Sequence, residues 1–492
     1  MVRFNAPVSL LSAAVVVALF AIGGLTAYAV RPAGPVVASL RLALIRAAVI
    51  LAAAAIAVVE LASAIRALTA GVIALVWLVG LVIAVAAAWL RHRRDPVQID
   101  DWSTYRDRAR AAWVCMPTLD RAIASVIGAV MLGILLIAVL SAPNTYDSLT
   151  YHLPRIEHWV AQASVAFYPT SIHRQVTHSP GHEYLLTHVR LLTGGDQLYS
   201  VMGWLSALGC LLAVTRIAAQ FGGAVRAQLI AALTVVSTPI WVMHASGTGN
   251  DIILTTWVAV AATLVVDGVR ERARPGDVLL LGLTTGLVAI TKNNGLLAVA
   301  PLLLLWGYSQ LRLARGHDRP TQLRRYATTA GASVGLLFVA VLVIGPFTAR
   351  MIRDFGTPLG PPDLRNHIPM QRHDPAAVLV NALRITLTGL DTPVRPVSDA
   401  GTRLVNTTAD VLGVDPNDPR ITFKENRFPT VTWYPIEDLV SFPLQAVLGF
   451  LAVGWAVVHR RTGGLAGGDA APGWLLRSYA GVIIGGGLLF AA

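Results

Sequence analysis

Asp147, Tyr151, His152, Arg155 and His158, all able to hold or move charge, stand close together in the stretch SAPNTYDSLTYHLPRIEHW, which starts at Ser141. The stretch follows directly on an apolar run, AIASVIGAVMLGILLIAVL, long enough to cross a bilayer. A loop that only joins two helices does not need such residues. Six of the twelve histidines lie between His152 and His188. This mixture suits a polar pocket for a sugar or a phosphate, a metal cluster, or an ordinary interfacial helix. Zinc ligands on one helix usually stand at spacings such as His-x3-His. His178 and His182 have that spacing, but Pro180 and Gly181 between them argue against a regular helix, and no metal ligand set is assigned.

The elements that position these residues follow from periodicity and composition. Projected as a helix, 147–160 puts Leu149, Leu153, Ile156 and Val160 on one stripe and Asp147, Tyr151, Arg155 and His158 on the opposite one. Such a helix is expected to lie on the membrane surface, apolar face down. The chain of 492 residues is 55% hydrophobic and 13% charged, with a mean hydropathy of +0.62. Soluble domains carry about 25% charged residues. Long apolar runs recur from end to end, and the alternating pattern of a membrane β-barrel is absent. The fold class is therefore an all-α polytopic membrane protein. About twelve transmembrane helices are expected, at 7–30, 43–65, 69–90, 121–141, 198–219, 226–244, 252–269, 277–291, 295–313, 326–347, 440–458 and 473–492, with surface helices in the outer loops. The run from Pro7 to Val30 is too long for a signal-peptide core and reads as a retained helix. The abrupt ending GGGLLFAA suggests an incomplete C-terminus.

The net charge of +12 is spread over short loops such as RHRRD at Arg91, RERARPGD at Arg270 and RLARGHDRPTQLRRY at Arg312. That is the positive-inside pattern, not a nucleic-acid footprint. Putting those loops in the cytoplasm places the N-terminus outside, and with it the two long segments Ala142–Gln197 and Ala349–Leu439. The expected locale is the plasma (inner) membrane, with the chemistry facing the periplasm or cell exterior. Residues 1–118 hold about three spans and a basic loop, 119–347 a transmembrane core with the first outer loop (142–197), 348–439 a large outer loop, and 440–492 the last spans. Cys115 and Cys210 suggest neither a disulfide nor a zinc site.

An apolar helix, an aspartate a few residues on, and then a Tyr/His/Arg-rich surface helix resembles the first outer loop of the GT-C glycosyltransferases. The likeness is to the branch near protein O-mannosyltransferases and the bacterial lipid-A-modifying sugar transferases. The segments YDSLTYHLPRIEHWVAQASVAFYPT, SGTGNDIILTTWVA, GLTTGLVAITKNNGLLAVAPLL and IRDFGTPLGP are similar to its landmarks, in order, over residues 120 to 458. The resemblance implies a GT-C-like core that moves a sugar from a polyprenyl-phosphate donor to a lipid, glycan or protein acceptor. Asp147 occupies the position of the family's base, and direct attack would invert the anomeric centre. The protein mannosyltransferases have a second acid beside the first, where this chain has Ser148, and no Asp-x-Asp stands in either outer segment. A divalent cation is the one cofactor left open.

The leaving lipid phosphate needs cationic partners. The candidates are Arg155, Arg174, Lys292, Arg350 and Arg353, with Tyr151, His152 and His158 beside them. Arg350 and Arg353 also read as headgroup anchors, and Lys292 as an interface anchor. Asn250 and Asp251 either bind a sugar or cap the next helix. Glu425, Glu437 and Asp438 lie among aromatics and suit a sugar surface or an aromatic belt. The rival functions are a transporter or flippase of envelope precursors, for which Glu60 is the one intramembrane charge of note, and a non-catalytic envelope-assembly partner. The loop holding Asp100 is too short for a nucleotide-binding domain.

Overall fold

The computed structural model describes residues 10–97, 101–361, 370–421 and 440–458, with isolated positions at 428 and 433 and within 475–484. All regular structure among the described residues is helical. In chain order the helices are α1 (Leu10–Ala29), α2 (Ser39–Ala64), α3 (Ala70–Arg94), α4 (Trp102–Cys115) and α5 (Thr118–Leu140). A π-helical turn, Ser148–His152, leads into α6 (Leu153–Ala161), α7 (Arg174–Thr177) and α8 (Gly181–Thr193). There follow α9 (Tyr199–Gln220), α10 (Val225–Val236), α11 (Pro239–Ala245), α12 (Asp251–Arg270), α13 (Pro275–Thr291), α14 (Gly295–Leu313) and α15 (Arg319–Phe355). The last are α16 (Pro375–Leu390), α17 (Arg395–Leu412) and α18 (Pro443–Val458).

Seven of these, α2, α3, α5, α9, α12, α14 and α15, are long and apolar enough to cross a bilayer, and α10 with α11 adds an eighth, bent path. The architecture is that of a polytopic helical membrane protein. The span expected at 226–244 is broken by a 76° bend at Ser237–Thr238. Pro239 has no N–H to give and forces Thr238 into an extended conformation. The runs expected at 7–30, 277–291 and 440–458 form shorter apolar helices, and 473–492 falls mostly outside the described residues. Length and composition thus support seven or eight spans among the described residues rather than twelve.

The helix expected at 326–347 runs 37 residues, through Arg350 and Arg353, and stops where Gly356 takes the left-handed conformation at φ 73°. Residues 349–355 therefore extend a span instead of opening a loop.

Packing sorts the spans. The apolar window of α12 is 61% buried, while that of α3 is 11% buried, leaving Leu75, Leu78 and Val82 facing outward. Outward aliphatic side chains on such helices are what lipid contact requires. The central cluster joins α2, α8, α12, α13 and α14.

Helix α8 is short, yet every residue from Gly181 to His188 is buried. A Cβ on Gly181 would stand 2.8 Å from the Ile290 carbonyl oxygen, so only glycine lets α8 start against the end of α13. Further along, His188 Nε2–H donates to the Ala55 carbonyl at 2.9 Å, and its Nδ1 accepts from Trp77 Nε1–H at 3.1 Å. These bonds fasten α2 and α3 to α8. The hairpin α16–α17 has a core of its own, built on Ala377, Val380, Val405 and Ala409.

Candidate functional site

Helix α5 ends at Leu140, and the chain reaches Asp147 through an irregular stretch that includes Pro143. The π-turn that follows is anchored by hydroxyls. Thr145 Oγ1 accepts from the Ser148 N–H at 3.2 Å, and the Thr145 and Thr248 hydroxyls donate to Ser148 Oγ at 2.5 and 2.6 Å. Asp147 stands at the head of this turn with its side chain 30% exposed. The Tyr151 hydroxyl donates to Asp147 Oδ2 at 2.7 Å, and Arg174 Nη1 on α7 lies 3.7 Å from Oδ1. Burial, and then the bond to Asp147, push the Tyr151 phenol far above its ordinary range, so it stays a neutral donor.

The surface helix with an apolar stripe down and a polar stripe up is not what forms. A π-turn closes its hydrogen bonds five residues apart instead of four, so side chains beyond it fall out of phase with a uniform helical projection. Leu149, expected in the apolar face, is 57% exposed, while Arg155, expected in the polar face, is 1% exposed. His158 is exposed and stacks on Tyr168, with ring centroids 4.0 Å apart.

Arg155 turns inward because its partner lies there. Glu183 of α8 is wholly buried, and its Oε1 accepts from Arg155 Nη1 at 3.0 Å and from His152 Nδ1–H at 2.7 Å. Arg155 Nη2 donates to the His178 carbonyl at 3.0 Å, and its guanidinium stacks over Trp159 at 4.8 Å. Burial pushes the Glu183 carboxyl up, but the charges of Arg155 and His152 more than reverse that, and it titrates well below the usual carboxylate range. His182 Nε2–H donates to the Thr248 carbonyl at 3.1 Å. Burial lowers the imidazoles of His178 and His182 to about 4, so both are neutral near pH 7. Glu183 Oε2, His182 Nδ1 and Arg155 Nε have no hydrogen-bond partner among the described residues.

Next to this cluster, Lys292 Nζ donates to Asp251 Oδ1 at 2.7 Å, both side chains being partly exposed. Asn250 precedes α12 without capping it through its side chain; Nδ2 donates instead to the Thr291 carbonyl at 3.3 Å. Asp147, Tyr151, His152 and Arg155 thus fall into one connected region with Arg174, His178 and Glu183, and Ser148, Thr248 and His182 link it towards Asn250 and Asp251.

Two of the expected cations are engaged elsewhere. Arg350 makes a two-pronged pair with Glu60 of α2, at 2.5 and 2.8 Å, and donates to the Tyr184 hydroxyl at 2.6 Å. It is a partly buried internal cation rather than a headgroup anchor or an open phosphate ligand. Arg353 is exposed and paired with its neighbour Asp354 at 2.6 Å. Glu425, Glu437 and Asp438 lie outside the described residues. Among the described residues no group of three His, Cys, Asp or Glu side chains is arranged to hold a metal ion.

Sequence reasoning passed over Glu183, the residue around which the cluster is built. The available signal was that Glu157 and Glu183 are the only acids between Asp147 and Asp196, in a segment crowded with basic side chains. No protein-family model, curated protein or solved structure matches the chain. What fold and site define is a helical membrane protein with a buried charge cluster opening through one partly exposed carboxylate.

Proposed function

We propose that the chain is a GT-C-type integral-membrane glycosyltransferase. It would transfer a sugar from a polyprenyl phosphate to the hydroxyl of a lipid, glycan or protein acceptor, on the outer face of the plasma membrane. The topology belonging to this reading has about twelve spans, counting the short apolar helices. The observation that carries it is Asp147: a carboxylate just past the end of a span, partly exposed, oriented by the Tyr151 hydroxyl and Arg174 at the lip of a buried charge cluster.

In this scheme Asp147 takes the proton of the acceptor hydroxyl. The acceptor oxygen forms the new bond to the anomeric carbon from the side opposite the phosphate. The anomeric C–O bond breaks, its electron pair leaves on the polyprenyl phosphate, and the centre inverts. Arg174 and Lys292 are the partly exposed cations beside Asp147 and Asp251 and are assigned to the leaving phosphate. Arg155 and His152 are positioning residues, since Glu183 holds both. The deciding experiment is transfer from a lipid-linked sugar in proteoliposomes by the parent and by Asp147→Asn. Variant activity within a few-fold of the parent would sink Asp147 as the base.

A second reading, a transporter of lipid-linked precursors, is favoured by the partly buried Glu60–Arg350 pair and the bent α10–α11 path. It predicts movement of a fluorescent lipid-linked sugar across the vesicle membrane without any acceptor, lost in Glu60→Gln and kept in Asp147→Asn.

A further inference from the structure

A cavity of about 440 Å³ is lined in part by Val176 and Thr177 of α7, the helix whose Arg174 reaches Asp147. Phe167, Tyr168, His173, Thr177, Asp354 and Phe355 are among its lining residues. Its volume falls within the roughly 300–1,000 Å³ of small-molecule sites. We propose that this cavity is a carbohydrate-binding subsite, and that within the transferase reading, on which this assignment rests, it holds the sugar portion of the acceptor against α7, the helix that carries Asp147's partner Arg174.

The chemistry of the walls selects the ligand. Phe167 and Phe355 lie against each other with centroids 5.5 Å apart, and Tyr168 is backed by the stacked ring of His158. Fixed aromatic faces beside hydroxyls, an imidazole and a carboxylate suit the apolar faces and hydroxyl rims of a pyranose. No Lys or Arg is among its described lining residues. The Asp354 carboxylate, which lines it, is held by both Arg353 Nε at 2.6 Å and Nη2 at 3.0 Å. A phosphate gains little there, which separates this site from the cations Arg174 and Lys292. Burial pushes the Tyr168 phenol up to about 12, so it remains a neutral hydrogen-bonding group.

Cavity and carboxylate are linked through two adjacent side chains of α7. Gln175 Oε1 accepts from the Tyr168 hydroxyl at 3.2 Å and from Thr170 Oγ1 at 3.0 Å on the cavity side. Gln175 Nε2 donates to the Thr150 carbonyl at 2.8 Å, within the π-turn that follows Asp147. Arg174, one residue earlier, reaches Asp147. A sugar against Tyr168 is thereby set in register with the π-turn through one side chain.

The test uses the full chain in lipid nanodiscs and two photoreactive probes, a diazirine-bearing maltoside without an alkyl chain and a phosphatidylcholine with a diazirine in its tail. Labelled peptides are mapped by mass spectrometry. Expected is labelling of 167–177 and 354–355 by the sugar probe, competed by free maltose. Labelling should fall at least about ten-fold in Phe355→Ala, as loss of a well-packed contact of about 1.4 kcal/mol implies. Thr177→Phe, which fills the cavity while keeping its aromatic pairs, should cause a similar loss and guards against a folding defect in Phe355→Ala. Labelling of the cavity by the lipid probe alone, or sugar labelling unchanged by Thr177→Phe, overturns the proposal. Asp147→Asn should label like the parent. Failure of the transferase reading would appear as retained transfer by that variant, independently of where the sugar probe lands.

Discussion

Helices α9 and α12 carry a buried charge cluster near one end and abut a second near the other, and the two are built differently. At the far end Arg216 is wholly buried and all three guanidinium nitrogens are engaged. Nε donates to the Val37 carbonyl at 3.2 Å, Nη1 to Thr263 Oγ1 at 2.7 Å, and Nη2 to both oxygens of Asp267 at 3.0 and 2.8 Å. Gln220 closes the circuit by donating to Asp267 at 2.7 Å and accepting from Thr263 at 2.7 Å. At the near end Arg155 and Glu183 are equally buried, yet Arg155 Nε, Glu183 Oε2 and His182 Nδ1 find no partner among the described residues. A saturated buried network rigidifies a fold, whereas a partly satisfied one costs stability and is kept where polar atoms have another use. The contrast separates a saturated clamp from a partly satisfied cluster at the two ends of one pair of helices.

The contrast predicts a double dissociation. Asp147→Asn keeps the size of the side chain at the lip of the near cluster but removes its basicity. Transfer in proteoliposomes should fall about 10²–10⁴-fold, with the thermal midpoint of the detergent-solubilised protein nearly unchanged. Arg216→Ala strips the cation from the saturated cluster and leaves Asp267 with Gln220 alone. Asp267 is 39% exposed and keeps its bond from Gln220, so the loss should be about 1.5–3 kcal/mol; folded yield should drop, and on the proposed reading whatever folds should transfer sugar at close to parental specific activity. Equal losses of activity and stability in both variants would erase the distinction.

A smaller effect should follow pH. His178 and His182 titrate at about 4 when folded and at 6.5 when unfolded. Above pH 6.5 both states are neutral there and stability is full. As pH falls from 6.5 to about 4 the unfolded chain takes up protons that the folded chain refuses, so stability declines. Glu183 adds a loss below 4.5, where the unfolded carboxyl protonates first. A melting curve at stepped pH should show the midpoint dropping over this window, and His182→Gln should flatten the slope. A midpoint that rises on acidification would contradict the neutral-histidine assignment. The least effect belongs to Asn250→Ala, which removes one neutral hydrogen bond to the Thr291 carbonyl. It should cost about 0.5–1.5 kcal/mol in a denaturant series, with transfer altered no more than a few-fold.

Hydropathy located the helices because crossing a bilayer demands an apolar run, and that demand is local. The expected 43–65, 69–90, 121–141 and 295–313 lie within a few residues of α2, α3, α5 and α14. Asp147 and the residues after it were legible as a concentration of polar types next to a span. What escaped was whatever depends on distant partners. Glu60 and Arg350 are 290 residues apart, and Arg155 and Glu183 are 28 apart on separate helices. Neither pairing leaves a mark on periodicity. The π-turn escaped for another reason: one wide turn shifts the angular phase, so a uniform projection assigned Arg155 to the wrong face. The bend at Ser237–Thr238 was marked by Pro239, but an apolar run on both sides concealed it.

The length of α15 carries a consequence for depth. Its 37 residues make a rod of about 55 Å at 1.5 Å per residue, against a hydrocarbon layer of about 30 Å. Even a tilted rod overshoots. Phe347 is buried within the bundle and Phe355 ends the helix two turns later, so the aromatic cavity sits about 12 Å further along the rod, at its tip. On the proposed transferase reading, a cavity at the tip of an overlong rod would let a bulky, water-soluble acceptor arrive from outside the oil while the greasy tail of the donor stays within it.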